Sequence, residues 1–549
     1  MSNRLVALLL LSLITARLWA QAPSDLVILG KLIISDSEPK AASLPPDANG
    51  NMRVVVYDAP GFSDPSFLRA LDPFVGRPIT NELLNAIANA IAQFAREHDR
   101  LIVKVAQVIP TNQDISSGVV RLAIMVGRYN EFQFKGNRWF SSKLLQDKLG
   151  IKAGDEVRIS VLEEAVNWAN ANPFRQVKVL VNDLAGQPGK ADLIVGVEER
   201  IPLRFTVSYD DSGNAILGSR HYTGALQFGN LWGLDHQGSY QFTTTDHQGV
   251  FQSHAIDYRV PLRWRHYLQV SGGYLKIKPV FGAGGVFTQN GKNIVGNVRY
   301  TIPIRGGTNP IEFSTGIDFK QGNNNLAYGG TTRISNSTDT FQLSSSLSLV
   351  KRDRKGAWLF GLNLDASPGH INSRNSDAAF SASRFNTSAT YATGTISVQR
   401  LQNLERNWSV FSRTVVKVAS ANVPGGEQLS IGGSATVRGF DERIYSGDQG
   451  FVFSNDLQLP TLRHTLPFLK KRAPVETRFI AFYDAAQVFY KHRDKNDAIL
   501  TPLASTGLGV RVSLPMNFTA TADYGWQITH LSYAPPSHSR GHVKVVLAF

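Results

Sequence analysis

The spacing of apolar positions along this chain changes character once, near residue 200. Before that point it is mixed. Leu83, Leu84, Ile87, Ile91 and Phe94 fall on one stripe between Thr80 and Arg100, which predicts an amphipathic helix. Thr80 followed by Glu82 and Leu83 reads as its capped start. A shorter helix is predicted over 64–74, with strands over 52–57, 101–109 and 118–126. The last strand alternates Val120, Leu122, Ile124 and Val126 against Arg121, Ala123 and Met125. The succession then returns: a strand over 130–135, helices over 141–149 and 159–172, and strands over 176–183 and 191–198. Two β-α-α-β-β units repeating at about 75 residues are two small α/β modules with open sheet edges. An open edge can take up an extended peptide as an added strand.

From about Phe205 the helical spacing vanishes and strict alternation takes over. Phe341, Leu343, Leu347 and Leu349 oppose Gln342, Ser344, Ser346 and Ser348; Trp358, Phe360, Leu362 and Leu364 oppose Gly361, Asn363 and Asp365; Ile256, Tyr258 and Val260 oppose Asp257 and Arg259. Strands of about 9 to 11 residues with one apolar and one polar face fit an outer-membrane barrel with a wet interior. A soluble sandwich would alternate in the same way, and three features favour the barrel. The Gly- and Asn-rich stretches Gln321 to Asn325 and Ser373 to Asp377 suit external loops. The aromatics Tyr524 and Trp526 stand near a strand end, as interfacial girdles do. Val543, Val545 and Leu547 alternate outward to a terminal Phe549.

Met1 to Ala20 reads as a secretory signal: Arg4 supplies the positive start, Leu5 to Ala16 the apolar core, and cleavage is expected after Ala20. That core is too short to span a bilayer, and no later apolar run reaches about 18 residues, so a chain entering a membrane must do so as a closed barrel. Residues 21–51 read as a linker broken by Glu38-Pro39, Pro45-Pro46 and Asn49-Gly50-Asn51, with one short strand possible over 26–34. The chain has no cysteine, which fits an oxidising compartment. A formal charge of +14 admits nucleic acid or anionic lipid. Lys470-Lys471-Arg472 is too short a basic tract to favour nucleic acid, and no nucleic-acid partner is expected.

No catalytic constellation emerges. Gly282-Ala283-Gly284-Gly285 lacks the strand-then-helix context of a nucleotide loop, and Asp235-His236 and Asp246-His247 are weak metal candidates in loop-like settings. The chain is expected to be no enzyme and to need no cofactor or metal. The residues that stand out are Gly432 to Phe440. Two glycines and small polar residues form a loop, and Arg438 sits between Val437 and Gly439. A guanidinium in a confined loop needs an acceptor. Asp484, the one acid in the β-prone run Phe479 to Phe489, is the candidate.

Pro110, Gln113, Gly118, Asn172-Pro173, Arg175, and the turn from Gly186 to Gly189 resemble the paired POTRA (polypeptide-transport-associated) domains of two-partner secretion transporters of the haemolysin-activator type. Val437-Arg438-Gly439-Phe440 resembles the tip of that family's sixth external loop, and Phe482-Tyr483-Asp484 its lumenal strand motif, with Ala485 where Gly is usual. Phe549 resembles the terminal signal of outer-membrane barrels. The family shares a superfamily with the outer-membrane barrel assembly proteins. The resemblance implies a signal peptide over 1–20, a linker over 21–51, POTRA domains over 52–127 and 128–200, and a 16-stranded antiparallel transmembrane barrel over 201–549. Loop 6, about 425–450, would fold inward so that Arg438 pairs with Asp484. Sixteen strands leave roughly 21 residues for each strand and its connection. Many members carry a plug helix before the POTRA domains, and residues 21–51 show no clear one. The implied function is ATP-independent export of an unfolded exoprotein, recognised in the periplasm by an N-terminal secretion domain. Outer-membrane lipid and the barrel assembly machinery are further expected partners. An insertase for other barrels is the alternative, and a passive porin a third reading.

Overall fold

The computed structural model describes residues 27–549 apart from 47–49, 51, 60, 101, 108–113, 185–186, 188, 248, 282–286, 329–330, 466–473, 496, 498, 515–516 and 532–537. The signal segment, Pro110, Gln113, Gly186, the Gly282–Gly285 stretch and Lys470–Arg472 lie outside the described residues. Two compact units can be separated. One comprises the residues up to Gln133 with Lys152–Leu162 and Leu180–Ile194; the other comprises Phe134–Ile151, Glu163–Val179 and Val195–Phe549.

In the first unit, β1 (Lys31–Ser35), β2 (Val54–Tyr57), β3 (Val103–Gln107) and β4 (Val119–Val126) form a sheet in the order β2-β1-β4-β3. Strand β1 runs parallel to both β2 and β4. The short strand expected over 26–34 is present as β1, the second strand of this sheet, and the surrounding segment read as a linker also supplies the short helix α1 (Glu38–Ser43). Leu32, Ile33 and Ile34 are fully buried, which makes this short apolar run part of the first module's core rather than of a linker. Helices α2 (Pro65–Leu71) and α3 (Asn81–Glu97) cover the sheet with Phe67, Ile87, Ile91 and Phe94. The Thr80 hydroxyl accepts from the Leu83 amide at 3.1 Å, capping α3 as the sequence indicates. Gly118 adopts φ +72°, and a Cβ there would sit 2.5 Å from the Ile28 carbonyl oxygen, so only glycine lets this turn approach the start of β1.

The second module consists of β5 (Arg128–Lys135), α4 (Ser142–Leu149), α5 (Ile159–Ala169), β6 (Arg175–Asp183) and β7 (Lys190–Glu199), with sheet order β5-β7-β6. The Asp99 carboxylate receives the Ser160 amide at 2.6 Å and the Ser160 hydroxyl at 2.5 Å at the first turn of α5. Burial works against this carboxylate's charge, but the Ser160 hydrogen bonds outweigh it and hold the group below the usual carboxylate range. Gly189, at φ +77°, closes the β6–β7 hairpin, and its carbonyl accepts from the Arg128 amide at 2.8 Å.

The remaining chain closes into an antiparallel barrel. Its first strands are β8 (Leu203–Asp210), β9 (His221–Leu231), β10 (His236–Thr245), β11 (Phe251–Pro261), β12 (Tyr267–Ile277), the two-residue β13 (Val280–Phe281), β14 (Phe287–Arg305), β15 (Ile311–Tyr328) and β16 (Thr331–Asp353). It continues through β17 (Gly356–Ser367), β18 (Tyr391–Asn403) and β19 (Ser409–Ala419). The short strands β20 (Leu429–Ile431) and β21 (Tyr445–Gly447) lie in the following loop. Then come β22 (Gln449–Gln458), the short β23 (Leu462–His464), β24 (Val475–Phe489), β25 (Leu503–Leu514), β26 (Phe518–Gln527) and β27 (Ser539–Ala548). Without the two short ribbon pieces β13 and β23, sixteen strands of the described residues build the wall. Helix α6 (Asp377–Ser383) lies between β17 and β18.

The alternation places lipid-type residues outside. Ile317, Leu343 and Leu364 are each more than half exposed, whereas Asp318, Gln342 and Ser344 on the opposite face are buried. Gln321 to Asn325, expected as an external loop, is instead strand: it pairs with both β14 and β16. Asn and Gly are poor strand formers, but pairing on both sides of a long ribbon satisfies their backbone, and the Asn323 side chain also accepts the Lys292 amide at 2.7 Å. The seam closes between β27 and β8, where the Phe549 amide donates to the Phe205 carbonyl at 2.8 Å and the two rings stack.

Candidate functional site

With an even number of strands, every second connection lies at the end opposite Leu203 and Phe549. The connection between β19 and β22 is the sixth on that side, and it turns inward. Its base is the two-stranded ribbon β20–β21, paired Leu429 to Gly447 and Ile431 to Tyr445. Beyond the ribbon the backbone reverses through Gly432, Gly433 and Gly439, all at φ near +90° to +100°. Val437, Phe440, Ile431 and Tyr445 are buried against Val452, Ala486, Val488 and Leu503, a patch of apolar side chains on an otherwise polar inner wall. Burying this wedge holds the tip against β22–β25.

Arg438 is 5% exposed and its donors are spent on the wall. Nε reaches Asp484 Oδ2 at 2.7 Å and Nη2 reaches Asp484 Oδ1 at 2.8 Å, a bidentate fork. The Arg438 amide adds a third bond to Asp484 at 3.1 Å. Nη2 also reaches Asp456 Oδ1 at 2.6 Å, and the guanidinium lies 3.6 Å above the Phe482 ring centroid. Asp484 is fully buried and accepts from the Ser454 hydroxyl of the neighbouring strand at 2.5 Å. Phe482 and Asp484 share the inner face, and Tyr483 is on the outer one, 44% exposed. Ala485 follows on the outer face by the same alternation, so the methyl that replaces the usual Gly does not touch the loop.

Several wall residues around this contact were not singled out from sequence. Asp523 stands 4.0 Å from Arg438 Nη1 and pairs with Arg511 at 2.7 Å. The Gln527 amide donates to the Gly439 carbonyl at 2.7 Å. Gly525 faces Gly439 backbone to backbone: a Cβ on Gly525 would lie 2.7 Å from the Gly439 nitrogen. The signal was available only as acids and glycines on the polar phase of alternating strands, which any wet lumen contains. At the loop's base, the fully buried Asp448 takes a bidentate pair from Arg384 at 2.6 and 3.0 Å, and accepts the Val423 and Lys491 amides, each at 3.0 Å.

A second buried cluster gathers Asn172 and Arg175. Arg175 forks onto both carboxylate oxygens of Asp235, in the tight β9–β10 turn. Asn172 Nδ2 reaches Asp235 Oδ1 at 2.7 Å and the Gly229 carbonyl at 2.6 Å, and its own oxygen accepts the Phe174 amide at 3.0 Å. Lys148 adds a contact to Asp235 at 3.3 Å. Burial pushes the Lys148 ammonium below the usual lysine range, with Asp235 opposing. Pro173 occupies the exposed turn between these two side chains. Asp235, weighed from sequence as a metal ligand, thus has its oxygens occupied by protein donors. The geometry of both clusters is that of positioning: charges neutralised in place, with no nucleophile and base in reach of each other.

The sequence model described as "Haemolysin secretion/activation protein ShlB/FhaC/HecB" matches residues 189–512. The chain belongs to this family. It is accordingly a two-partner secretion transporter of the outer membrane, from a family of transporters rather than enzymes. Among curated relatives, the outer membrane transporter CdiB of Dickeya dadantii is 22% identical over 455 residues, 80% of this chain and 76% of CdiB. The heme/hemopexin transporter protein HuxB of Haemophilus influenzae is 21% identical over 456 residues, 81% of this chain and 77% of HuxB. In fold the chain is similar to CdiB from Escherichia coli, with a TM-score of 0.72 at 16% identity, covering 96% of this chain and 92% of that one. It is also similar to BamA from Haemophilus ducreyi lacking POTRA domains 1–3, with a TM-score of 0.52 at 13% identity, covering 88% and 98%.

Proposed function

We propose that this transporter captures an unfolded exoprotein through the exposed sheet edges of its two POTRA modules, residues 31–127 and 128–200, and passes it through the barrel lumen to the cell surface. The partner carries an N-terminal secretion domain, which adds to a sheet edge as an extended strand. Folding outside the pore drives transit without ATP. In this reading the barrel reaches the outer membrane through the barrel assembly machinery, and its outer face meets lipid directly.

The observation that carries the mechanism is the burial of Arg438 between Asp484 and Asp456. Pairing neutralises the guanidinium in a confined lumen where water screens it less than at a surface. The loop-6 lock of Val437, Arg438, Gly439 and Phe440 on Asp484 holds the transport-competent conformation. The test replaces Arg438 by Ala, verifies that the barrel inserts, and measures exoprotein in the medium; undiminished export ends the claim. The insertase reading is separated by a deletion strain: general barrel defects support it, and loss of one secreted protein supports export. The family match favours export.

A further inference from the structure

At the end of the barrel where β8 begins, a cavity of about 450 Å³ opens between α5 and the turns β11–β12 and β14–β15. Trp168 and Tyr267 form one side, with ring centroids 4.8 Å apart. Pro303 and Ile304 form the other. A bulge in the β14–β15 pairing falls at Ile304, between Pro303 and Arg305. It interrupts the alternation, so three consecutive residues line the cavity where a regular strand would offer alternate ones. Ile304 is left 61% exposed. Tyr267 lies on the inner phase of β12 beneath the Arg259 guanidinium, 3.5 Å from its ring centroid, so one wall of the cavity is built by a lumen-facing side chain. Its charges balance: Arg265 pairs with Glu164 at 2.6 Å, and Arg305 and Glu312 complete the rim.

The geometry points to this cavity as a binding site for an extended segment of the exported polypeptide, seating one aromatic or branched apolar side chain at the mouth of the lumen. The inference rests on the export reading above. A net-neutral rim around an apolar floor disfavours nucleic acid and lipid phosphate, which need an excess of cations. It suits a neutral, unfolded chain, whose apolar residues are the part water holds least well. A seat of this kind would retain the chain between capture and translocation without tight binding.

The test uses the full-length transporter in detergent and a fluorescent peptide of about 14 Gly, Ser, Thr and Asn residues with a single central Phe, beside the same peptide with Ala at the centre. The Phe peptide is expected to bind roughly tenfold more tightly than the Ala peptide, and Ile304→Asp is expected to erase that ratio. Ile304→Ser, which removes most of the apolar surface without adding charge, gives the same readout should Ile304→Asp fail to insert. Equal affinity for the two peptides, or a Phe preference that survives both substitutions, overturns the site. Exoprotein in the medium is measured in parallel. Absence of export by the parent chain overturns the export reading by itself, whereas normal export with no Phe preference overturns the cavity alone.

Discussion

Arg438 uses the shape of its side chain as well as its charge. The fork spans both oxygens of Asp484, one arm also reaches Asp456, and the flat face rests on Phe482. Lysine offers a point charge that cannot make these contacts together. Arg438→Lys is therefore expected to lower export by about tenfold or more and to raise resting conductance in planar bilayers, although the charge is kept. Parent-level values for both would reduce the site to simple charge neutralisation. At the second cluster, Asp235→Ala leaves Arg175 buried without its carboxylate, which costs on the order of 3–5 kcal/mol. Faster proteolysis in α4 and α5 is the expected signature, and unchanged protection would assign the hold elsewhere. Arg438 and Asp484 were legible because each interrupts its surroundings, a guanidinium among glycines and an acid in an apolar run. Asp456 and Asp523 were not, since each looks like an ordinary polar residue of its strand, and Asp235 stood out only as a weak metal candidate, with its pairing to Arg175 unforeseen.

For the elements, close approach matters as much as pairing. The loop tip meets β26 where Gly439 and Gly525 face each other, and a methyl on Gly525 would lie 2.7 Å from the Gly439 nitrogen and 2.8 Å from the Arg438 carbonyl carbon. Gly525→Ala should push the tip off the wall, raising resting current and reducing secretion. Gly541→Ala should do neither, because its nearest neighbour is the Tyr524 ring at 3.6 Å, an ordinary contact. Equal behaviour of the two variants would remove the proposed role of this approach. In the periplasmic part, the depressed Asp99 carboxylate stabilises the first turn of α5 while ionised. Its contribution is complete above the unfolded value of about 3.9 and is lost as pH falls through the lower folded value. Amide exchange at Ser160 should therefore quicken only in that acid range, and Asp99→Asn should make it fast and nearly independent of pH there.

On the scale of the whole molecule, two kinds of part are expected to be separable in function. Deleting residues 31–199 should leave a barrel that inserts and conducts but secretes nothing. Secretion that persists after the deletion would show that the modules are dispensable for capture. The charge of +14 takes on a different meaning in this setting. Part of the basic charge is tied up in pairs such as Arg299 with Asp318, Arg511 with Asp523 and Arg384 with Asp448. Such pairs neutralise charge within the wet lumen.

The sequence by itself determined the classes of structure. Period-two alternation over the last 340 or so residues requires strands with one apolar and one polar face, and the repeated helical stripes require two α/β modules. It also marked the loop tip and its acid, because local composition there conflicts with any regular element. Only the tertiary structure decided what those residues meet. Residues 31–35 became a central strand because two distant strands lay open to pair with them. Asp235 found Arg175, and Gly525 found Gly439, across separations that no local pattern encodes. Periodicity reports which face of a strand is dry, while register and chain reversal fix which side chains share that face.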